Sequence, residues 1–367
     1  MYNGTTVLDV HSHLRATPPT AMYLLRLLAG NTAGPSPIRP GSIPPAGSFG
    51  DGMRDEDFFK AADRHAAYLD ERNIDVQILG PHPVDANGWM APHIFKSWTS
   101  YVNDMIFKVV QAKPDRWVGA CQLPQLANEP DTQHVLPELE RCVNEYGFVA
   151  TYVSPDITGR RDTPGMHEPY WYPLYERCQE LDIPIIVHGT DGQDPRFRVV
   201  PQNYQLAFLS EQYFATQFLR HSDVFDKFPR LKVLVCHCGG ALDRFIKESP
   251  LVGRQGRDLS QNLYFDTCAY DLDYLATAIK QRGISQMCFG VEAPGSGGTV
   301  RPETGKTSDD LVPLIGGHPT LSFLSEQEKL DIFHNNPAKF CPGLENPQET
   351  NARAKVRAYP ETAGAAG

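Results

Sequence analysis

The chain has 367 residues, of which 41% are hydrophobic, and its formal net charge at pH 7 is −10. The hydrophobic content is enough for a substantial core, and the acidic balance argues against a nucleic-acid partner, because phosphate binding needs a basic face. No apolar run approaches the roughly 20 residues that span a bilayer, and the N-terminus lacks a signal-peptide pattern. Eight scattered cysteines in mostly apolar runs predict buried thiols in a reducing cytoplasm.

Short β-rich segments alternate with longer amphipathic segments along the chain. Several of the short segments are continuously apolar, which is typical of strands buried on both faces of a parallel sheet. The predicted strands are Val7–Val10, Asp75–Leu79, Trp117–Leu123, Phe148–Val153, Ile183–Val187, Lys232–Cys236, Leu263–Asp266 and Gln286–Val291. Apolar residues at helical spacing predict helices at Phe58–Asn73, Trp98–Ala112, Val135–Tyr146, Trp171–Leu181, Phe214–Phe228 and Leu272–Arg282.

Eight strands that alternate with helices predict a closed α/β barrel, the (β/α)8 or TIM-like fold. An open doubly wound sheet would need a Gly-rich phosphate turn after an early strand, whereas the first strand here ends in His-Ser-His. We predict one barrel domain over residues 1–345 and a polar, frayed tail over 346–367. Residues 14–56 are predicted to be an insertion after the first strand. Its Gly/Pro/Ser-rich part at 31–52 is either a surface loop or a lid or subunit-contact arm.

Titratable side chains follow the predicted strands at their carboxyl ends, where a barrel of this type carries its chemistry. In VLDVHSH, His11 and His13 lie two residues apart and therefore face the same side of the strand. The strand-end residues farther along the chain are His188 in IIVHG, His237 in VLVCHCGG, Asp266 in LYFDT and Glu292 in CFGVEAPG. Imidazoles plus a carboxylate are the usual ligands of catalytic zinc.

Each of these residues alone has an ordinary structural explanation. A His-x-His pair is a weak signal, His188 could be a hydrogen-bonded core histidine, and Glu292 could cap a helix. Four or more titratable groups directly after apolar strands are harder to explain in this way, because burying such groups without partners costs free energy. The set therefore predicts a site for one divalent metal, with zinc first and Mn or Fe as alternatives.

Candidate substrate contacts lie in the same loops. Arg15 directly follows the His-x-His pair, and Arg196 and Arg198 lie in the loop after the fifth strand. A guanidinium matches a carboxylate, so these arginines predict a small carboxylate substrate. Arg244 lies in a predicted helix start at 241–245 after two glycines, and is a further carboxylate ligand or forms a helix-surface salt bridge. His82, after the second strand, is the remaining candidate.

Six segments together resemble the amidohydrolase superfamily, in the branch of the aminocarboxymuconate-semialdehyde decarboxylases. They are LDVHSH, DRWVGACQLPQ, WYPLYERCQELDIPIIVHG, VFDKFPRLKVLVCHCGG, LYFDTCAY and FGVEAPG. The resemblance extends to HNNPAKFCPGL and implies a (β/α)8 barrel with one divalent metal, commonly zinc. It implies that His11, His13 and His188 bind the metal and that His237 is catalytic or close to the metal. It also implies a homodimer or a higher homo-oligomer.

One position departs from the decarboxylases of this branch, which usually carry a metal-binding Asp in a G-[ST]-D-[WY]-P context. This chain has Gly290-Val-Glu-Ala-Pro294 there. That glutamate, the following Arg301-Pro-Glu-Thr-Gly305, LPELERCVNEYGFVA and HNNPAKFCP resemble the 4-oxalomesaconate hydratases. The resemblance therefore implies a metal-dependent lyase that hydrates a carboxylated, conjugated product of aromatic-ring cleavage. In that interpretation Glu292 is a metal ligand and one of the catalytic residues. Asp266 orients or shares a proton, and His237 transfers that proton.

Three other functions remain open from the sequence. One is non-oxidative decarboxylation of a hydroxyaromatic or muconate-type acid. Another is metal-dependent hydrolysis of a C–C bond. The last is a metal-binding barrel without activity, since one fold hosts many functions.

Overall fold

The computed structural model describes residues 1–14, 55–83, 86, 88, 90–190, 192–199, 203–245 and 258–359. Most of the predicted 14–56 insertion lies outside these residues. Eight parallel strands form one sheet in sequence order. They are β1 (Leu8–Asp9), β2 (Val76–Leu79), β3 (Trp117–Gln122), β4 (Ala150–Val153), β5 (Ile185–Val187), β6 (Val233–Val235), β7 (Leu263–Asp266) and β8 (Met287–Cys288). Each lies within its predicted range.

The first and last strands meet, so that the sheet curls into a barrel. The Val10 N–H donates to the Phe289 carbonyl at 3.0 Å, and the Glu292 N–H donates to the His11 carbonyl at 2.9 Å. These bonds lie just beyond the carboxyl ends of β1 and β8. The predicted (β/α)8 barrel is therefore confirmed, and its closure brings the ends of the first and last strands side by side.

Helices connect the strands around the outside of the barrel. They are α1 (Asp55–Asp70), α2 (Pro92–Ala112), α3 (Leu136–Tyr146), α4 (Tyr172–Leu181), α5 (Asn203–His221), α6 (Val224–Lys227), α7 (Leu272–Arg282) and α8 (Val312–Gly317). The predicted helix Phe214–Phe228 is wrong as one element: α5 begins earlier, and the chain breaks at Asp223, which has φ −99° and ψ 15°. α2 begins six residues before the prediction, because Pro92 suits the first turn of a helix.

The strands are buried on both faces, which explains their continuous apolar sequences. Val7 packs in the layer between the sheet and the helices, whereas Leu8 and Val10 pack inside the barrel. The inner layer also contains Phe340 and Leu344 from the C-terminal part of the chain. All eight cysteines are buried free thiols, as predicted. Within the described ranges, no helix is both long and apolar enough to cross a membrane.

The C-terminal segment continues to pack against the barrel beyond residue 345. Helices α9 (Glu326–Leu330), α10 (Asn336–Phe340) and α11 (Pro347–Asn351) complete the described structure. The Asn351 side chain donates to the carbonyls of Pro114 and Trp117, and the Tyr359 hydroxyl donates to the Lys108 carbonyl. The predicted fraying is therefore wrong for residues 347–359, because polar side chains in this segment satisfy barrel carbonyls rather than water.

Candidate metal centre

Four of the predicted site residues converge at the mouth of the barrel. Ligand atoms of His11, His188, His237 and Glu292 all lie within 4.8 Å of one another. His13 joins them, because its Nε2 lies 3.1 Å from Nε2 of His11. Two nitrogens bound at about 2.0–2.1 Å to the same ion lie about 3 Å apart, so this spacing matches a shared metal.

Three of the histidines have their outer ring nitrogen anchored. His11, His13 and His188 are buried, and in each the Nδ1 atom lies 2.7 Å from an oxygen. The oxygens are Asp266 Oδ2, the Pro81 carbonyl and the Gly189 carbonyl. A carbonyl or carboxylate oxygen only accepts, so each ring carries its hydrogen on Nδ1 and presents the lone pair of Nε2 to the centre. Metal-binding histidines are commonly oriented in this way.

The remaining nitrogen of His188 provides a test of whether a metal fits. Its Nε2 is buried and has no hydrogen-bond partner within the described structure. A buried polar atom left without a partner is destabilising. Burial lowers the pKa values of His13 and His188 well below the ordinary range, so both rings are neutral. Neutral imidazoles with converging lone pairs are suitable ligands for a divalent ion.

Glu292 lies between His13 and His237. Its Oε1 lies 3.6 Å from His13 Nε2, and its Oε2 lies 3.5 Å from His237 Nε2. Burial would raise the pKa of Glu292, but the pairing with His237 outweighs burial, and the pKa lies well below its usual value. Burial would likewise lower the pKa of His237, but the Glu292 carboxylate outweighs it and raises that pKa. The pair can therefore hold a proton on His237.

A left-handed turn places His237 after β6. His237, Cys238, Gly239 and Gly240 have φ angles of 52°, 57°, 81° and 83°. A Cβ atom on Gly240 would lie 2.4 Å from the Leu209 carbonyl oxygen, so only glycine allows this close approach to α5. Glu292 also has a left-handed backbone, with φ 55°. Left-handed non-glycine residues are strained and cluster at functional sites.

The segment after this turn is not the predicted helix. Residues 241–245 are irregular. The Asp243 carboxylate accepts hydrogen bonds from Arg220 at 2.8 Å and from Arg282 at 3.2 Å. Those bonds tie the segment to α5 and α7, and explain why a helix does not begin here.

Asp266 supports His11 from behind. Its Oδ1 accepts the backbone N–H groups of Cys238 at 2.9 Å and Cys268 at 3.1 Å, while Oδ2 accepts from His11. Burial would raise the pKa of Asp266, but the bond from His11 and the other contacts outweigh it and lower the pKa. This anionic carboxylate therefore fixes both the ring of His11 and the left-handed turn.

Among the candidate substrate residues, His82 lies near the cluster, whereas Arg196 and Arg244 are exposed. His82 is half-buried, and its ring centroid lies 5.5 Å from that of His13. Arg196 is 82% exposed and pairs with Asp194, and the exposed Arg244 lies over the ring of Phe245. Arg15 and the side chain of Arg198 lie outside the described residues. Substrate binding by these arginines and by His82 stays a prediction.

Sequence reasoning missed three side chains that contact the cluster. The Gln212 side-chain amide on α5 lies 2.9 Å from His237 Nδ1, and the Ser296 hydroxyl donates to Glu292 at 2.7 Å. Asp9 accepts the His11 N–H at 2.9 Å, and burial raises the pKa of Asp9 to about 7. Asp9 offered a signal, because it is a charged residue inside an apolar strand. Gln212 offered none, because a glutamine on a helix is usually a surface residue.

Comparison with known proteins identifies the family of the chain. A family model described as amidohydrolase matches residues 8–342. The chain is 31% identical over 292 residues to 2-keto-4-carboxy-3-hexenedioate hydratase from Sphingobium sp. strain SYK-6, covering 76% of this chain and 81% of that protein. It is 29% identical to 2-amino-3-carboxymuconate-6-semialdehyde decarboxylase from Dictyostelium discoideum, covering 52% of this chain and 53% of that protein.

A solved structure shares the fold. The crystal structure of 4-oxalomesaconate hydratase from Rhodopseudomonas palustris superposes with a TM-score of 0.74 and 24% identity, covering 96% of this chain and 100% of that one. The resemblance seen in the sequence motifs is confirmed by the family match and by the hydratase relative. The chain belongs to the amidohydrolase family.

Proposed function

We propose that this protein is a metal-dependent hydratase that adds water to a C=C bond of a conjugated, carboxylated keto acid. The observation that carries the proposal is the Glu292 carboxylate, which lies between the ligand histidine His13 and the titratable His237. The hydratase relative, 31% identical over most of its length, supports this class of substrate.

The proposed ligands of the metal are His11, His13, His188 and Glu292. The anchored Nδ1 atoms, the convergent Nε2 atoms and the unpartnered Nε2 of His188 support this assignment. Nitrogen and oxygen ligands of this kind suit zinc, with manganese or iron as alternatives. When bound, the ion supplies Lewis acidity toward oxygen atoms of the substrate or of water.

The proposed proton donor is His237. Its ring is paired with Glu292, which favours the protonated imidazole, and 15% of the side chain remains exposed at the barrel mouth. In hydration, the hydroxyl of water adds to the carbon far from the keto group, and His237 delivers a proton to the neighbouring carbon. The proton released by the attacking water returns the His237–Glu292 pair to its starting state, so the reaction balances as the addition of one water.

Decarboxylation is the second candidate, supported by the decarboxylase relative. In that reaction His237 would protonate the carbon that bears the leaving carboxylate. The glutamate after β8 favours hydration, because decarboxylases of this branch usually carry aspartate at the matching position.

The test uses the purified protein, metal analysis and 2-keto-4-carboxy-3-hexenedioate. We expect about one equivalent of divalent metal, and loss of the conjugated absorbance without release of CO₂. Release of CO₂ would establish the decarboxylase instead, and two carbon fragments in the mass spectrum would establish a C–C hydrolase. Less than about half an equivalent of metal, with activity insensitive to chelator, would contradict the metal assignment.

A further inference from the structure

A small cavity opens beside the metal centre, on the side formed by strands β2 to β5. Its volume is about 30 Å³, and its polar lining residues include His82, Gln122, Gln125, Ser154 and His188. His188 belongs both to this lining and to the convergent cluster. The cavity therefore adjoins the proposed metal centre at His188.

Ser154 is one of the residues that line this cavity. The residue follows β4 and is 5% exposed, and its Oγ is buried without a hydrogen-bond partner among the described residues. A buried hydroxyl without a partner is destabilising, so native structures rarely keep one without a functional reason or a bound molecule.

The backbone of Ser154 is held by one neighbouring side chain. Gln125 Oε1 accepts the Ser154 N–H at 2.9 Å, and Gln125 Nε2 donates to the Ser154 carbonyl at 2.9 Å. Gln125 is itself buried. The main-chain N–H and carbonyl of Ser154 are therefore satisfied, and its side-chain hydroxyl is the polar group left without a partner among the described residues.

The size and charge of the cavity limit what that ligand can be. A volume of this size holds about one or two water-sized groups. Among its described lining residues there is no lysine or arginine, the side chains that usually neutralise a buried carboxylate. An uncharged oxygen atom fits both limits.

We infer that Ser154 is a specificity residue that donates a hydrogen bond to an uncharged keto, enol or hydroxyl oxygen of the substrate. The inference rests on the proposed function, because it takes the adjoining metal centre as the place where a keto acid binds. The substrate then extends from the Ser154 cavity across the metal centre toward His237.

The test compares Ser154→Ala with Tyr264→Phe in the zinc-loaded protein. Tyr264 on β7 is a matched control, because its buried hydroxyl also lacks a partner in the described structure but belongs to the inner barrel layer with Phe340. Affinities for 2-oxoglutarate and for glutarate, which lacks the keto oxygen, are measured by calorimetry. We expect Ser154→Ala to reduce the preference for 2-oxoglutarate about tenfold, in line with the loss of one hydrogen bond, and Tyr264→Phe to leave it unchanged.

Two further measurements separate this role from a structural one. The metal content of Ser154→Ala should equal that of the wild type, because Ser154 is not a proposed ligand. Its melting temperature should equal or exceed that of the wild type, because an unpartnered hydroxyl has been removed. With the hydratase substrate, KM should rise while kcat changes little. Equal ligand preference in Ser154→Ala and wild type would overturn the inference and leave the hydroxyl to an ordered water, as would failure of 2-oxoglutarate to bind.

The ligand measurement stands apart from the test of hydration. Neither 2-oxoglutarate nor glutarate has a C=C bond that can be hydrated. Loss of preference in Ser154→Ala would therefore support the cavity even if the hydratase assay gave no turnover. Turnover with unchanged preference would support the hydratase and reject the cavity.

Discussion

The two halves of the barrel mouth hold histidines in opposite electrostatic states. On the side of β1 and β5, burial lowers the pKa values of His13 and His188, whose Nδ1 atoms bind backbone carbonyls. On the side of β6 to β8, the Glu292 carboxylate raises the pKa of His237. The same side chain thus favours the neutral form at the two proposed ligands and the protonated form at the proposed proton donor, because the Glu292 carboxylate outweighs burial at His237.

The largest expected effect comes from removing one of the proposed metal-binding histidines on the side of β1 and β5. His188→Ala removes an imidazole whose Nε2 has no protein partner in the described structure, and should abolish metal binding and turnover together. Metal content is measured by elemental analysis of the purified variant. His221→Ala, at the exposed end of α5, is the control and should retain both. Full metal occupancy in His188→Ala would remove that residue from the ligand set.

The second prediction distinguishes proton transfer by His237 from metal binding by the other histidines. His237→Asn removes the titratable ring and should lower kcat by about 10²- to 10⁴-fold, the usual contribution of a general acid. Metal content should stay near that of the wild type, since three histidines and Glu292 remain. Metal content and kcat are measured on the same preparation of the variant. Metal loss equal to that in His188→Ala would make His237 a ligand and end the division between the halves.

The positions of these titratable side chains could be predicted from the sequence, because they depend on local patterns. Strands buried on both faces must be apolar throughout, so a histidine or carboxylate directly after such a run stands out, as His188 and Glu292 do. The barrel rule then places these residues at one mouth.

The rest depends on contacts between distant segments. Gln212 reaches His237 across 25 residues, and no spacing rule connects them. The left-handed turn at His237 depends on packing of Gly240 against α5. The docked tail depends on Asn351 finding two carbonyls more than 200 positions earlier in the chain. Such long-range hydrogen bonds leave no periodic signal in the sequence.

The third prediction concerns Asp266, which contacts both halves. Asp266→Asn keeps the size of the side chain, but an amide cannot accept from His11 with one atom and from two backbone N–H groups with the other. We expect metal affinity to fall about 10- to 100-fold, as for other groups that orient metal-binding histidines. Competition with a chelator measures the affinity. Asp273→Asn, exposed on α7, is the control. Unchanged affinity with reduced turnover would assign Asp266 to the proton-transfer half instead.

The smallest expected effect tests how the proton-transfer half is positioned. Gln212 is fully buried, and its amide fixes Nδ1 of His237. Gln212→Leu should lower kcat about tenfold, the effect of one lost hydrogen bond, while metal content and KM stay near wild type. Gln217→Leu is matched to it, because Gln217 lies on the same helix and donates to Asp243 at 2.9 Å instead. Both variants lose one side-chain hydrogen bond, so a similar drop in melting temperature is expected for each. If the two variants lose turnover equally, the effect comes from helix stability, and His237 does not depend on Gln212 for its orientation.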